Sequence, residues 1–285
     1  MEKIAIITDT CGDIPKEIVE ELNIEVIPIT VQYGEESLRD GIDISADEVY
    51  ELQKTHIMKT ASPAGNEIQK VFDKLISEEY THAIALMLSE GLSSTVNQIR
   101  LFASTIEEME VAVFNSKSAA LGEGMIAIAM AGYRNLGMSF KELKKKAEKV
   151  INDSHVFFSI DTLEFLEKGG RIGKATAFVG SALKIKPIMS LDQDGEIYVP
   201  AKVRGSKKVF NKLIEMISEL VENNPGRKYV LLVADGGCVE LRDELLNKMK
   251  ELFPDYLYAI SSHIGASLAC YLGPNLLGAG IQFLD

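Results

Sequence analysis

Three consecutive hydroxyl side chains, Ser93, Ser94 and Thr95, follow an apolar stretch and a glycine in the segment LSEGLSST, residues 88–95. Serine and threonine are common N-caps, because their side-chain oxygens accept from the free N–H groups of a first helical turn. One hydroxyl is enough for a cap, so the others are available to an anion, which the helix dipole attracts to the same place. The stretch alone leaves both interpretations open.

A second chemically suggestive feature is the basic segment between residues 168 and 208. It contains nine Lys and Arg against three acidic residues, in a chain whose net charge is −12. Arg171 follows a double glycine and Arg204 precedes Gly205, and glycines allow backbone N–H groups to approach an anion closely. A solvated surface is the ordinary explanation of a charge run, but these glycines favour an anionic ligand or an acidic partner.

Familiar catalytic and nucleotide motifs are absent or incomplete. GGRIGKA is one residue too short for a phosphate loop, and Ala175 stands where that motif needs a hydroxyl for magnesium. The glycines of residues 122–127 lie well beyond the preceding strand, which favours close helix packing over dinucleotide binding. The four histidines are scattered, and neither GxSxG nor HExxH occurs. The sequence therefore predicts no catalytic residue, no metal and no other cofactor.

Composition narrows the class of protein. The strongly negative net charge argues against nucleic-acid binding, which depends on neutralising phosphates. Cys11, Cys238 and Cys270 form no CxxC pair, so neither a zinc site nor a disulfide framework is indicated. The chain opens on a strand-like segment rather than a signal peptide, and it contains no run of 18 uncharged apolar residues. We expect a cytoplasmic protein with no stable membrane insertion.

Strands and helices are predicted to alternate in the N-terminal half, which is typical of an α/β domain with a largely parallel sheet. Asp13 and Pro15 predict the start of the first helix, and Ser45 with Glu48 predicts a capping box. Ser139 predicts the start of an amphipathic helix. The predicted strands are 3–9, 24–31, 82–88 and 110–115, and the remaining predicted helices are 66–77, one after Ser93 and one ending near Arg134.

The C-terminal half has a different pattern, with at least one antiparallel strand. Residues 155–160 are strand-like, 163–183 predict two short helices broken at the double glycine, and Asp194-Gly195 predicts a hairpin turn. A helix from Lys207, a strand over 229–235 and further strands follow. Because 285 residues exceed the usual size of one domain, we predict two α/β domains, 1–155 with a largely parallel sheet and 156–285 with a mixed sheet.

Taken together, the ordered motifs resemble the DegV family, and the resemblance extends over the whole chain. The segments that carry it are TDTCGDIP (8–15), VIPITVQYGEESLRDGIDISADEVYELQ (26–53), KTASPA (59–64), SEGLSST (89–95), LEFLEKGGRIG (163–173), KIKPIMSLDQDGEI (184–197), KVRGSKK (202–208) and LGPNLLGAG (272–280).

The resemblance implies a protein that binds a long-chain fatty acid in an apolar tunnel near the domain junction. Thr60 and Ser93 match the family's carboxylate ligands, and the nearby hydroxyls of Ser62 and Ser94 are further candidates. Some members of the family present the lipid to a separate ATP-dependent fatty acid kinase subunit. Arg171 and Arg204 match positions that face that partner.

Three positions depart from the family pattern. Tyr271 stands at the histidine of the family's GAHTGPG motif, Asn275 at a later glycine of the same motif, and Ala61 at the serine after Thr60. A tyrosine hydroxyl can donate to a carboxylate, but it does not carry the positive charge that an imidazole can at neutral pH. Tyr271 is therefore a ligand-binding candidate whose chemistry differs from that of the family.

Two further expectations concern the lining of the tunnel and an alternative function. An apolar tunnel would supply most of the affinity for an acyl chain, with the hydroxyls orienting the carboxylate. The alternative function is a small-molecule phosphotransferase or hydrolase with Ser93 as nucleophile, which requires a general base that the sequence does not identify. The candidate lining residues of the tunnel are Phe165, Leu166, Phe178, Ile188, Leu276 and Leu277.

Overall fold

The computed structural model describes residues 2–178 and 185–284. In the N-terminal half the elements are β1 Ile4–Asp9, a 3-10 turn Thr10–Gly12, α1 Lys16–Glu21, β2 Ile24–Ile27, β3 Thr30–Tyr33, β4 Glu36–Arg39, α2 Ala46–Leu52, β5 Lys59–Ala61, α3 Gly65–Ser77, β6 His82–Met87, α4 Thr95–Ala103, β7 Glu110–Asn115, α5 Leu121–Asn135 and α6 Phe140–Asn152.

The C-terminal half continues the alternation with longer strands. Its elements are β8 Ser154–Ser159, α7 Glu164–Gly169, a 3-10 helix Gly173–Phe178, β9 Ile185–Leu191, β10 Ile197–Arg204, α8 Lys207–Glu222, β11 Lys228–Gly236, α9 Val239–Leu252, β12 Tyr256–His263, α10 Ala266–Leu272 and β13 Leu276–Leu284.

The predicted α/β class and the two kinds of sheet are confirmed. Four parallel strands form the N-terminal sheet in the order β2-β1-β6-β7. The C-terminal sheet has the order β10-β9-β8-β13-β11-β12, in which the β11–β12 pair is parallel and the other pairs are antiparallel. The hairpin predicted at Asp194-Gly195 joins β9 to β10.

A small third sheet, in the order β4-β3-β5, was not predicted. The single strand expected over residues 24–31 is wrong, because β2 ends at Ile27 and β3 begins at Thr30 in a different sheet. Pro28 lies between them, and proline has no N–H to donate to a strand ladder. The chain therefore leaves the parallel sheet there, which brings Thr60 on β5 into an antiparallel pair with Val31.

The two large sheets share a middle layer of helices. Helix α5 is buried on nearly every face and packs against β1 of one sheet and β8 of the other. This agrees with its sequence, which is apolar all round rather than amphipathic. Helices α3 and α4 cover the outer face of the N-terminal sheet, and α8 and α9 cover the outer face of the C-terminal sheet.

Glycines allow α5 to enter this narrow space. A Cβ at Gly124 would overlap the backbone oxygen of Gly12, and one at Gly122 would overlap the side chains of Ser118 and Val156. The expected role of these glycines in helix packing is confirmed.

Helix starts follow the sequence signals only in part. Ser45 and Ser139 each form the predicted capping box. The cap predicted at Asp13 is wrong, because Pro15 precedes α1 without a side-chain cap, and the Asp13 carboxylate instead accepts from the N–H of Gly265. At α4, Ser94 occupies the N-cap position but its hydroxyl makes no cap bond. At Asp13, a hydrogen bond to a residue distant in the sequence thus takes the place of the predicted cap bond.

The division into residues 1–155 and 156–285 stays a prediction. The four-stranded sheet lies wholly before the predicted boundary at residue 155. Strand β8 begins just before that boundary, at Ser154. Of the two short helices predicted over 163–183, the described residues form α7 and the 3-10 helix that ends at Phe178, while 179–183 lie outside the described residues. No helix within residues 2–178 and 185–284 is long and apolar enough to cross a membrane.

A group of buried carboxyls lies where the first strand ends. Burial raises the pKa of the Asp9 carboxyl from 3.8 to about 6, against the opposing effect of N–H donors from Leu88 and Cys11. Burial also raises the pKa of Asp13, Asp40 and Glu123. Their mutual repulsion adds to the effect, since each carboxylate disfavours charge on its neighbours.

This burial predicts that Asp9 stabilises the fold at acidic pH and less at neutral pH. Asp9 is protonated in both states below pH 3.8, and its contribution is lost as the pH rises through about 6. The shift of the Asp9 pKa from 3.8 to about 6 corresponds to roughly 3 kcal/mol of stability. The test is urea unfolding of the wild type and of Asp9→Asn at several pH values. The difference in free energy of unfolding, wild type minus variant, should decrease from pH 4 to pH 7.

Asp43 is the matched control for this measurement. The Arg39 guanidinium holds the pKa of this exposed carboxyl at about 2, so its contribution is already complete at pH 4. The difference between wild type and Asp43→Asn should be flat from pH 4 to pH 7. An equally flat difference for Asp9→Asn would contradict the prediction.

Candidate functional site

An internal cavity lies at the carboxyl ends of the parallel strands β1, β6 and β7. Cys11, Leu88 and Ala119, which follow these three strands, line it. This is the edge at which open α/β sheets bind ligands. The opposite wall consists of Val156 and Phe158 on β8 and of residues from β11, β13 and α10. The cavity holds about 940 Å³ free of atoms, including solvent at its mouth, and its wall is mostly apolar.

The β9–β10 hairpin closes one side of this cavity. Its turn packs on the loop after β6, where the Ser89 hydroxyl donates to the Gly195 carbonyl at 2.7 Å. A Cβ at Gly91 would lie 2.5 Å from the same carbonyl oxygen. The glycine of the SEGLSST segment is thus needed for backbone-to-backbone contact. This contact places Leu191 and Ile197, at the two ends of the turn, in the cavity wall.

Polar side chains in the wall include a hydrogen-bonded pair, Thr60 and Tyr271. The Tyr271 hydroxyl accepts from the Thr60 N–H at 3.1 Å and lies 2.8 Å from the Thr60 hydroxyl. Two hydroxyl protons are available, and only one is needed between these two oxygens. The other is free to donate to a ligand oxygen in the cavity.

Arg171 lies beside this pair and also lines the cavity. Its guanidinium lies over the Tyr271 ring, 5.1 Å from the centroid. Nε donates to the Leu92 carbonyl at 3.2 Å, and Nη1 donates to the Gly169 carbonyl at 2.7 Å. Since a guanidinium has five N–H donors, Arg171 keeps donors for a further acceptor.

The double glycine before Arg171 makes this arrangement possible. A Cβ at Gly169 would overlap the Tyr271 ring, so only glycine lets the ring lie flat on the end of α7. Gly170 has φ +73° and ends the helix in the left-handed region. The glycines that suggested a close approach to an anion therefore allow a close approach to tyrosine.

The three hydroxyls of the SEGLSST segment have separate partners. Ser93 lines the cavity, lies 2.9 Å from the Thr95 hydroxyl and accepts weakly from the Thr95 N–H at 3.3 Å. The Ser94 hydroxyl lies 3.2 Å from that of Ser62, and both residues lie outside the cavity wall. Ser93 thus has the more enclosed position.

Helix α10 brings two hydroxyls into the cavity wall and was not predicted. Ser267 and Tyr271 are one helical turn apart and therefore lie on the same face. The i, i+4 spacing in GASLACYLG was the available signal, but a helix of seven residues gives a weak periodic pattern.

The amino end of α10 is bound to the N-terminal half by two carboxylates. Asp13 Oδ1 accepts from the Gly265 N–H at 2.8 Å, and Asp40 Oδ1 accepts from the Ala266 N–H at 2.9 Å. These acceptors satisfy amides that a helix start leaves free. Their sequence separations from α10 exceed 220 residues, so no local pattern could indicate them.

The two predicted partner-facing arginines have different environments. Arg171 is half-buried in the cavity wall, whereas Arg204 is exposed at the last residue of β10. Ile197, at the other end of that strand, is the residue that reaches the cavity. Six residues of strand lie between Ile197 and Arg204, so the two ends are roughly 20 Å apart.

Some of the residues predicted to line the tunnel reach the cavity and others do not, and the alternation of side chains along β13 explains part of this difference. Leu166 and Leu276 line the cavity. Leu277, the next residue on β13, packs with Ile188 in the core beneath α8 and α9, on the other face of the sheet. The ring of Phe165 lies against Gly273, and Phe178 is absent from the described wall.

The site offers hydrogen-bond donors and the positive charge of one guanidinium. Within the described part of the chain, the Ser93 hydroxyl has only Thr95 as a hydrogen-bond partner. In residues 2–178 and 185–284, no group of three or more His, Cys, Asp or Glu is arranged to hold a metal ion.

The fold and the site together define an α/β protein built around an internal apolar cavity with a polar wall segment. The family profile described as "Uncharacterised protein, DegV family" matches residues 3–283, and the chain belongs to the DegV family.

Relatives of known sequence and structure support this assignment along the whole chain. A DegV domain-containing protein of Clostridium acetobutylicum is 34% identical over 279 residues, covering 98% of each chain. A DegV family protein from Thermus thermophilus, whose structure is described as fatty acid binding, has a TM-score of 0.91 at 27% identity, covering 99% of this chain and all of that one. DegV from Bacillus subtilis, described as a fatty acid binding protein, has a TM-score of 0.90 at 28% identity, with both chains fully covered.

The contact between Gly169 and the Tyr271 ring gives a direct prediction. Alanine is normally preferred to glycine in a helix by about 1 kcal/mol, but a Cβ here would displace the ring. We expect Gly169→Ala to destabilise the protein by about 1 to 3 kcal/mol through overpacking, measured by urea unfolding.

Gly132 on α5 is the matched control, since nothing lies within 4 Å of a Cβ built there. Gly132→Ala should leave stability unchanged or raise it. Equal behaviour of Gly169→Ala and Gly132→Ala would contradict the contact between Gly169 and the Tyr271 ring.

Proposed function

We propose that this protein binds a long-chain fatty acid, with the acyl chain in the cavity and the carboxylate among Thr60, Ser93, Tyr271 and Arg171. The observation that carries the proposal is the combination of an apolar cavity with hydroxyls and a guanidinium in its wall. A molecule that complements such a wall is long and apolar and bears one anionic head group.

The hydroxyls account for orientation. Thr60 and Tyr271 share one hydrogen bond and have a second proton to donate, and the Ser93 hydroxyl rotates between Thr95 and the cavity at little cost. Hydrogen bonds to a charged acceptor are worth roughly 1.5 to 3 kcal/mol each in a poorly solvated site. Ser62 and Ser94 bond to each other outside this wall, so we assign them a supporting position behind the ligands.

Arg171 supplies the compensating charge. A carboxylate in an apolar cavity needs a cation or several donors to offset its loss of hydration. The guanidinium keeps donors beyond the two bound to backbone carbonyls. We therefore propose that Arg171 binds the carboxylate, in addition to its expected role in facing a partner.

The apolar wall accounts for most of the affinity. Burying about fifteen methylenes is worth roughly 12 kcal/mol before the cost of ordering the chain and restricting its motion. The hydroxyls and Arg171 then select a carboxylate over an uncharged head group. The relatives from Thermus thermophilus and Bacillus subtilis, which are described as fatty acid binding, support the same assignment.

A hydrolase or phosphotransferase with Ser93 as nucleophile is less well supported. Serine needs a general base within hydrogen-bond reach, and the described partners of the Ser93 hydroxyl are the hydroxyl and amide of Thr95. The same contacts suit a hydroxyl that donates to a bound carboxylate.

Mass spectrometry of lipid extracted from the purified protein tests the proposal. We expect one long-chain fatty acid per chain, retained without detergent. Protein that is free of lipid and also fails to bind added palmitate or oleate would rule the proposal out.

Ser93→Ala tests the assignment of the head group. Loss of one donor to a carboxylate should weaken fatty acid binding by about 1 to 3 kcal/mol, measured by displacement of a fluorescent fatty acid. Ser94→Ala is the matched control, since Ser94 is adjacent but outside the cavity wall, and its affinity should be unchanged. Equal effects of the two variants would return Ser93 to a local structural role.

We also propose that the bound fatty acid is presented to a separate ATP-dependent kinase subunit. Arg204 supports this role, because it is exposed and charged near a basic segment and lies away from the ligand. Arg171, by contrast, combines ligand and partner roles, so a charge reversal there would not separate them. Tyr271 replaces the family's histidine, and its hydroxyl would donate to the head group without carrying charge.

Arg204→Glu is expected to retain fatty acid binding and to lose acyl-phosphate formation with a cognate kinase subunit. Arginine contacts to phosphate and carboxylate are bidentate and directional, so charge reversal should abolish docking rather than merely weaken it. The measurement is a coupled assay in which both proteins are titrated. Lys141→Glu, an exposed charge reversal on α6, is the control. Equal transfer by wild type and Arg204→Glu would contradict the partner role.

A further inference from the structure

A second cleft lies on the opposite face of the C-terminal sheet from the fatty acid cavity. The alternation of side chains along a strand separates the two spaces. On β8, Phe158 lines the cavity and Ser159 lines the cleft, and on β13 the same division holds for Leu276 and Leu277. The cleft holds about 1180 Å³ free of atoms, open solvent included.

The amino terminus of α8 borders this cleft. Helix α8 has 16 residues and no acidic residue in its first turn, and the N-cap residue Ser206 makes no side-chain cap bond. Ser206 and Lys207 both line the cleft. Among the described residues, their backbone N–H groups have no acceptor. Free amides at the positive end of a helix dipole favour an anion.

The basic residues here oppose the usual preference for helix ends. Lys207 and Lys208 lie in the first turn of α8, where a cation is disfavoured by the dipole. Lys207 has no carboxylate partner within the described part of the chain, whereas Lys186, also in the cleft, pairs with Asp161 at 3.0 Å. A bound anion would relieve the unfavourable position of Lys207.

A buried hydroxyl provides independent support. Ser159 is 4% exposed and lines the cleft, and its hydroxyl oxygen has no hydrogen-bond partner among residues 2–178 and 185–284. A buried hydroxyl without a partner has lost its hydration without a replacement. Because Ser159 is on β8, on the sheet beneath α8, this hydroxyl is separate from the helix terminus and points to the same kind of ligand.

The rest of the lining limits the kind of anion. Val209, Phe210, Leu241 and Leu277 give the cleft an apolar part. Asp161 and Glu244 add two negative charges, of which that of Asp161 is paired with Lys186. We propose that this cleft binds a small phosphate monoester, with the phosphate at the start of α8 near Lys207 and Ser159 and an apolar or aromatic body on Phe210 and Leu241.

NMR titration of the full-length, fatty-acid-loaded protein tests this inference, with phenyl phosphate and inorganic phosphate as probes. We expect phenyl phosphate to shift the amide signals of Ser206 and Lys207 and to bind at least tenfold more tightly than inorganic phosphate. Equal affinity of the two probes would overturn the role of the apolar part. Shifts spread over many lysines would overturn the site.

Variants give a sharper test because the chain offers a matched pair. Lys207→Glu should weaken phenyl phosphate binding at least tenfold, whereas Lys208→Glu, the same charge change one residue away and outside the lining, should weaken it less than threefold. Ser159→Ala should weaken binding several-fold, and Glu244→Gln should strengthen it. Equal loss in the two lysine variants, or no change in Ser159→Ala, would overturn the proposal. Retained fatty acid in each variant establishes that the fold is intact.

Discussion

Two buried carboxylates hold the C-terminal half of the chain in the position that completes the cavity. Asp13 and Asp40 accept from the amides at the start of α10, and α10 then brings the Tyr271 hydroxyl to Thr60 on β5. A shift of α10 by one residue would rotate Tyr271 by about 100° away from the cavity. The polar wall therefore exists only where the two halves meet. Burial raises the pKa of both acids. The position of α10, and with it the polar wall of the cavity, therefore depends on the protonation of these two groups.

Backbone contacts between the halves constrain the site as strongly as side chains do. Gly91 touches Gly195, and Gly169 makes room for Tyr271. A larger residue at either glycine would separate surfaces that now enclose the cavity. The C-terminal sheet then isolates this cavity from the α8 cleft, because adjacent residues of β8 and β13 point to opposite faces. One sheet thus separates two spaces with different linings.

The sequence indicated the class of fold, both kinds of large sheet, the capping boxes at Ser45 and Ser139, and the hairpin turn, because each depends on local chemistry. It also indicated Thr60 and Ser93, through the resemblance to the DegV family. What it could not indicate depends on distant contacts. The tertiary acceptor role of Asp13, the short helix α10 and the side of the sheet on which Leu277 lies all follow from how the halves pack.

The position of β13 has a consequence for how the chain reaches this structure. β13 follows every other strand in chain order, yet it pairs with β8 on one side and β11 on the other, near the middle of the sheet. Until it inserts, β8 and β11 expose unpaired edges, and such edges invite association between chains. Contacts of such long sequence separation also form slowly. The C-terminal half is therefore most open to association with other chains before β13 has inserted.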